Sequence, residues 1–322
     1  MRKLKAILCI MLLVAMFFGG IFLVVHFSKD DENKKVVVTT FPLYDICREI
    51  LDSEEDILLL QDNGVDMHSY QPTTQDITAI SDCELFVFIG GHSDDWVEGI
   101  LQSVDNANRR ELRLMDCVES LHESHDNIVS GDALHDEDCE HEHHEDEYDE
   151  HIWLSVKNMK KMTEAVLEQL ISVYPHLQQF LTNNADEYIS KLDALDMQYA
   201  EVCENQSKTI VLADRFPFLY LAHDYGLNFM SAYSGCSSGG QDNADVKVEL
   251  IQKINNEGIS FIGILETSDG QLANSIVSEC NHEVGILIFN SCQSIVSKDI
   301  SIMNYLSIME RNLENLKKAL DI

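Results

Sequence analysis

Positively charged residues are scarce in this chain of 322 residues. Lys and Arg together number 22 against 56 Asp and Glu, and the formal net charge is −34. Such an acidic chain excludes nucleic acid as a partner, because its phosphates would be repelled. The charge favours cationic ligands held over an acidic surface, although solubility alone is a sufficient explanation of it.

Motifs that carry catalysis are missing as well. The chain has no HExxH motif and no glycine-rich phosphate loop, two patterns that hold a catalytic zinc or a nucleotide. Its nine cysteines include no CxxC pair of the kind found in zinc knuckles, and their number and spacing specify no disulfides. We therefore expect a binding protein and not an enzyme.

The N-terminus has the pattern of an export signal. Three of the first five residues are basic, and the uncharged run Ala6–Val25 that follows is long enough to span a bilayer. No small-residue cleavage site is obvious, and Cys9 lies too early to carry a lipid. We expect residues 1–35 to be an uncleaved signal anchor that holds the protein at the cell surface. The alternative is a cleaved signal peptide, which would make the protein secreted or periplasmic.

The rest of the chain alternates between apolar runs and segments of helical period. Residues from Val156 to Val173, for example, place their apolar side chains on one helical face. Such alternation predicts an α/β protein with parallel sheets flanked by helices. Six apolar runs predict buried strands: Val36–Thr40, Ile57–Leu60, Leu85–Ile89, Ile210–Ala213, Phe261–Leu265 and Val284–Phe289.

One segment interrupts this alternation. From Asn183 to Glu204 the chain has no Pro, no Gly and no strand-like run, and its apolar residues recur every three or four positions. This predicts a helix about 30 Å long. We expect two lobes, residues 36–181 and 207–322, joined by a rigid linking helix at 182–206.

A stretch of extreme composition lies within the first lobe. Residues 122–151 contain thirteen Asp and Glu and seven His, with no Lys or Arg. Such a segment cannot build a core, so we expect a loop at 122–150. Imidazoles among carboxylates favour weak zinc binding by His141, His143 and His144, whereas a purely acidic, solvated loop is the alternative.

Two other histidines stand in a different context. His68 follows the second predicted strand, and His151 lies where the acidic loop gives way to apolar sequence. Open α/β sheets bind their ligands in loops that follow the strands. Taken singly, each histidine is more often a hydrogen-bonded core or surface residue. The chelating segment between them favours a role as metal ligands.

These residues belong to blocks that resemble a known family, the solute-binding proteins of zinc and manganese ABC importers, in a Firmicutes-like zinc branch. The resemblance runs from Val36 to the C-terminus and agrees with two lobes, a linking helix and an acidic loop. The matching blocks are Val37–Tyr44, Val65–Pro72, Gly90–Glu98, Asp149–Leu154, Asp214–Tyr220, Asp224–Leu227, Gly235–Ser237 and Asn312–Leu320.

The resemblance implies four metal-ligand positions. The first two fall on His68 and His151, the third falls on Arg215, which cannot bind a cation, and the fourth falls on Asn290, a poor zinc ligand. Glu266 is a further ligand candidate, with a role as the partner of Arg215 as the alternative.

Two cysteines near these positions have two possible roles. Cys236 or Cys292 could supply a missing ligand. We expect them instead to form a disulfide with each other, since oxidation is expected outside the cytoplasm.

The function implied by the resemblance is the capture of zinc for an ABC importer. Zinc is favoured over manganese, because a histidine-rich site suits zinc. The implied partner is the ABC permease, with membrane attachment through the N-terminus, and we expect a monomer. A surface metal sensor or an adhesin-type interaction protein on the same fold is the alternative, since a fold does not determine a function.

Overall fold

The computed structural model describes residues 34–62, 64, 67–104, 106–123, 148–234 and 244–322. Its strands form two parallel four-stranded sheets, with the orders β2-β1-β3-β4 and β6-β5-β7-β8. The strands are β1 (Val36–Val38), β2 (Ile57–Leu59), β3 (Leu85–Phe88), β4 (Arg110–Arg113), β5 (Thr209–Phe216), β6 (Asn228–Ser234), β7 (Phe261–Leu265) and β8 (Gly285–Phe289).

Helices flank both sheets, and the predicted α/β class with two lobes is confirmed. The helices are α1 (Phe41–Leu51), α2 (Thr74–Asp82), α3 (Asp95–Ser103), α4 (Val156–Val173), α5 (Gln178–Cys203), α6 (Leu219–Tyr225), α7 (Ala244–Glu257), α8 (Gln271–Glu279) and α9 (Tyr305–Ala319). Short 3-10 turns lie at Met67–Ser69, His92–Asp94 and Ile152–Leu154.

The first sheet forms because its central strands, β1 and β3, are apolar on both faces. Val36, Val37 and Val38 are fully buried, and β1 pairs in parallel with both β2 and β3. The edge strand β4 has the polar sequence Arg110–Arg113, mostly exposed. All loops that follow β1, β2 and β3 therefore leave from one edge of the sheet, where the candidate site lies.

The long helix α5 begins at Gln178 and ends at Cys203. Its start lies five residues before the predicted Asn183, and its end lies one residue before the predicted Glu204. Its predicted apolar face is buried along its whole length: Tyr188, Leu192, Leu195, Tyr199 and Val202 are each at most 9% exposed. The helix connects the two sheets in the chain. The lobe boundaries at 181 and 207 remain predictions.

One buried apolar cluster continues from the first lobe through α5 into the second. It includes Val38 of β1, Leu192 of α5 and Phe289 of β8. Polar contacts follow the same path, because the buried Asp45 carboxylate of α1 accepts from the Tyr188 hydroxyl at 3.3 Å and from the Tyr305 amide at 3.0 Å. The lobes therefore share their interior.

The N-terminal apolar run Ala6–Val25 and residues 1–33 as a whole lie outside the described residues. The described helices include none that is both long and apolar enough to cross a membrane.

Candidate metal site

His68 lies in the 3-10 turn Met67–Ser69 that follows β2, and its side chain is 7% exposed. Its Nδ1 atom lies 2.8 Å from Ser93 Oγ and 3.0 Å from Glu150 Oε1. The Ser93 hydroxyl also donates to Glu150 Oε1 at 2.6 Å, and the Ser93 amide donates to Glu150 Oε2 at 3.0 Å. A serine from one loop and a glutamate from another thus hold one edge of the imidazole.

The Glu150 carboxylate reaches this position over a glycine. A Cβ atom at Gly91 would lie 2.3 Å from Glu150 Oε2, closer than real Cβ contacts allow. The Gly91 backbone has φ −86°, which any residue can adopt. Gly91 is therefore required for the close approach of Glu150 and not for its own conformation.

His151 lies directly before the 3-10 turn Ile152–Leu154 and is fully buried. The Asp149 carboxylate bends the chain here, because its Oδ1 accepts from the His151 amide at 2.8 Å. The same Oδ1 lies 3.0 Å from His151 Nδ1. The backbone turn and the orientation of the ring are thus determined by one carboxylate.

The two imidazoles meet at this edge of the first sheet. Their ring centroids are 5.6 Å apart with an interplanar angle of 59°. The Nε2 atoms of both His68 and His151 are buried, and His151 Nε2 makes no hydrogen bond to any described residue. A buried ring nitrogen without a hydrogen bond is costly unless a ligand occupies it, so His151 Nε2 fits a metal ion, and the His68 imidazole lies beside it.

Neighbouring charges shift the pKa values of Glu150 and His151 in opposite directions. Burial acts to raise the pKa of Glu150, but the hydrogen bond and charge of His68 outweigh it, and the pKa of this carboxyl is lowered. Burial acts to lower the pKa of His151, but the charge and hydrogen bond of Asp149 outweigh it, and this pKa is raised. Both carboxylates therefore act as counter-charges inside the protein.

The segment that contains His151 forms hydrogen bonds with residues of the second lobe. The Tyr220 hydroxyl of α6 donates to the Asp149 carbonyl at 2.7 Å. The Trp153 indole donates to the Ser291 carbonyl at 2.9 Å, and the Tyr305 hydroxyl donates to the Trp153 carbonyl at 2.7 Å. His151 is consequently positioned by both lobes.

The predicted fourth ligand, Asn290, already has backbone partners. Its side-chain oxygen accepts from the Cys292 amide at 2.8 Å, and its backbone is bonded to Asn312. Glu266, the further ligand candidate, accepts from the amide of Ser291 at 2.9 Å and from its hydroxyl at 2.7 Å. Both oxygens of this carboxylate thus stabilise the loop after β8.

Arg215 lies near the end of β5, where the strand has a bulge between Leu212 and Arg215. The Asp214 carboxylate accepts from the Arg215 amide at 2.8 Å and from the Leu265 amide at 3.2 Å. Burial raises the pKa of the Glu266 carboxyl, while the Ser291 hydrogen bonds and the positive charge of Arg215 oppose this shift. The Arg215 charge is thus balanced in part by Glu266.

The described part of the chain contains no group of three or more His, Cys, Asp and Glu side chains arranged to hold a metal. Glu266 therefore does not join His68 and His151 in such a group. The predicted loop ligands His141, His143 and His144 lie outside the described residues.

The predicted disulfide involves one described cysteine. Cys292 is buried and bonded to no other described cysteine. Cys236 lies outside the described residues, so their pairing remains a prediction.

The chain matches a known protein family over most of its length. The sequence profile of the family described as "Zinc-uptake complex component A periplasmic" matches residues 36–319. The chain belongs to this family. Its resemblance to the solute-binding proteins of metal importers is thereby confirmed.

Two curated proteins that resemble this chain are named for zinc binding or zinc uptake. The zinc-binding lipoprotein AdcA of Streptococcus pneumoniae serotype 4 is 30% identical over 305 residues, which cover 91% of this chain and 57% of the relative. The high-affinity zinc uptake system protein ZnuA of Bacillus subtilis is 28% identical, with 91% and 90% covered. The chain thus spans about 57% of the length of the AdcA relative.

A solved structure has the same fold as this chain. The crystal structure of the Zn(II)-bound ZnuA-like domain of Streptococcus pneumoniae AdcA superimposes with a TM-score of 0.70 and 27% identity. The match covers 89% of this chain and 98% of that domain.

The sequence alone did not reveal the residues that surround the two histidines. Ser93 and Glu150 are 57 positions apart, so no local pattern joins them to His68. Asp149 and Glu150 precede His151 directly, but thirteen carboxylates in the same acidic stretch gave these two no distinction. The signal that could have identified Gly91 is its place before Ser93 in a loop that follows a strand.

Proposed function

We propose that this protein captures zinc outside the cytoplasm and delivers it to the permease of an ABC importer. The observation that carries the proposal is the buried pair His68 and His151, with Nδ1 of each ring beside a carboxylate and both Nε2 atoms buried. Membership of the zinc-uptake family and the names of the relatives support the same conclusion.

Zinc is favoured over manganese because of the donor atoms. Two imidazole nitrogens suit zinc, whereas manganese favours carboxylate and carbonyl oxygens. In this proposal His68 and His151 are the indispensable ligands. Water completes the coordination shell, and Asn290 and Glu266 would have to release their hydrogen bonds to Cys292 and Ser291 to join it. Three protein ligands with one water are a usual incomplete zinc shell.

The remaining expectations complete the proposal. The protein acts by binding and not by catalysis, it works as a monomer, and its N-terminal segment 1–35 attaches it to the membrane. His141, His143 and His144 collect ions weakly before an ion reaches the His68–His151 pair. The second lobe supplies the contacts that position His151.

Equilibrium zinc binding against a competing chelator tests the proposal. His68→Ala and His151→Ala should each abolish tight binding of one zinc ion, because one imidazole and water cannot compete for scarce zinc. His223→Ala is the matched control, since His223 is an exposed histidine on α6. Near-normal affinity in both site variants would refute this location of the metal, and manganese bound more tightly than zinc would refute the choice of ion.

A further inference from the structure

Two consecutive carboxylates serve two different histidines. Asp149 Oδ1 lies 3.0 Å from His151 Nδ1, and Glu150 Oε1 lies 3.0 Å from His68 Nδ1. Asp149 and Glu150 are 1% and 0% exposed. Buried carboxylates are rare unless they are paired, so both need an explanation that the capture of zinc by imidazoles does not itself supply.

The hydrogen-bond pattern around Ser93 determines which His68 nitrogen carries the proton. A serine hydroxyl has one proton, and an ionised carboxylate can only accept. Ser93 Oγ donates that proton to Glu150 Oε1 at 2.6 Å. Ser93 Oγ must then accept from His68 Nδ1 at 2.8 Å. Nδ1 of His68 is therefore the protonated nitrogen, and Nε2 has the lone pair.

We propose that Glu150 and Ser93 are positioning residues that hold His68 as the Nδ1–H tautomer, while Asp149 does the same for His151. In these tautomers Nε2 is the unprotonated atom of each ring, the atom through which the two imidazoles would bind one divalent cation. The proposal rests on the proposed function. It adds that the counter-charge for the cation comes from the carboxylate pair Asp149–Glu150, behind the imidazoles, and not from the second lobe.

This arrangement also explains how the site can bind a cation although the second-lobe ligand positions are occupied by Arg215 and Asn290. Glu266 is engaged by Ser291, and Arg215 brings a positive charge. The second lobe would therefore not compensate the positive charge of a divalent cation that is bound only by neutral imidazoles and water. Partners of ligating histidines typically contribute 10–100-fold to metal affinity, and here two such partners are adjacent in the chain.

Three variants separate the hydrogen bond from charge and burial. Glu150→Gln keeps the side-chain volume but removes the charge. Gly91→Ala keeps the charge but displaces the carboxylate, because the new Cβ would meet Glu150 Oε2 at 2.3 Å. Asp94→Asn is the matched control, since Asp94 is a buried carboxyl next to Ser93 that hydrogen-bonds to the Gly90 amide and not to His68.

The first measurement is the tautomer of His68 in metal-free protein, read from two-bond ¹⁵N–¹H correlation spectra after ¹⁵N-histidine labelling. Wild type and Asp94→Asn should show the Nδ1–H form, and Glu150→Gln and Gly91→Ala should show a mixture with Nε2–H. The second is zinc affinity, which should fall roughly 10–100-fold in Glu150→Gln and Gly91→Ala only.

An unchanged tautomer and unchanged zinc affinity in Glu150→Gln and Gly91→Ala would overturn the proposal, as would an equal loss in Asp94→Asn. The tautomer is measured without metal, so it decides the role of Glu150 even if His68→Ala shows that zinc binds elsewhere. If Glu150→Gln fails to fold, Gly91→Ala supplies both measurements. Gly99→Ala controls for the added methyl group, because its Cβ meets nothing within 4 Å.

Discussion

Replacing Asp94 by Asn should stabilise the metal-free protein at neutral and alkaline pH. Asp94 is 4% exposed, and its Oδ1 has no hydrogen-bond partner among the described residues. Burial raises the pKa of this carboxyl to about 7, with a further contribution from the Glu150 charge, while the Gly90 amide and Arg113 act in the opposite direction. An asparagine reproduces the neutral form at every pH.

The size of the effect follows from the difference between the folded and unfolded pKa values. The folded pKa is about 7 and the ordinary value is 3.8. Between these values the folded protein binds more protons than the unfolded chain, so the free energy of unfolding falls as pH rises. Three pKa units correspond to about 4 kcal/mol. The stability contributed below pH 4 is lost by about pH 8, and Asp94→Asn should avoid most of this loss.

Urea unfolding in the presence of chelator, followed by tryptophan fluorescence at pH 5, 6, 7 and 8, measures the difference between variant and wild type. Other titrating groups cancel in this difference, which should grow with pH to a few kcal/mol. Asp95→Asn is the matched control, because this neighbouring carboxyl is exposed and its ion pair with His92 contributes about 0.5 kcal/mol. A difference that is constant from pH 5 to pH 8 would refute the reasoning.

Three further predictions follow from other parts of the structure. Trp153→Phe leaves the buried Ser291 carbonyl without its donor and should reduce the free energy of unfolding by about 1–3 kcal/mol in urea titrations; an unchanged stability would contradict this. Arg215→His should tighten zinc binding in chelator competition, whereas Arg215→Lys, which keeps the charge, should not. Replacing residues 124–147 by two glycines should lower the number of zinc ions bound by mass spectrometry but keep one tight site, since His122 and Tyr148 already pair across the gap; loss of the tight site would move the metal to the loop.

Sequence periodicity was sufficient for the buried parts of the fold and not for its edges. The apolar runs at β1, β3 and β7 were predicted because both faces of a parallel strand are covered. Strand β4 was missed because Arg110–Arg113 has no apolar pattern and its position depends on pairing with β3. Strand β6 was missed for a similar reason, since Asn228–Ser234 mixes polar and apolar residues at the other sheet's edge.

The site was only partly predictable for a different reason. His68 and His151 could be selected by their positions in the sequence, and the structure brings their rings within 5.6 Å. The contacts of Ser93 and Glu150 with His68 depend on the separation of loops in space, which the sequence does not state. The side chain of Asn290 matched a ligand position by resemblance, yet it bonds to the Cys292 amide.

The buried cluster that passes from the first lobe through α5 to the second affects how the protein loses its structure. Neither half can unfold alone without exposing apolar surface of the other. We therefore expect a single cooperative transition, and a cut between α5 and β5 should leave neither fragment stable. Zinc bound by His68 and His151 would then protect amide protons in β7 and β8 from exchange, although no predicted indispensable ligand comes from that sheet. Free zinc at 1,000 times the dissociation constant would add about 4 kcal/mol to the free energy of unfolding of the two lobes as one unit.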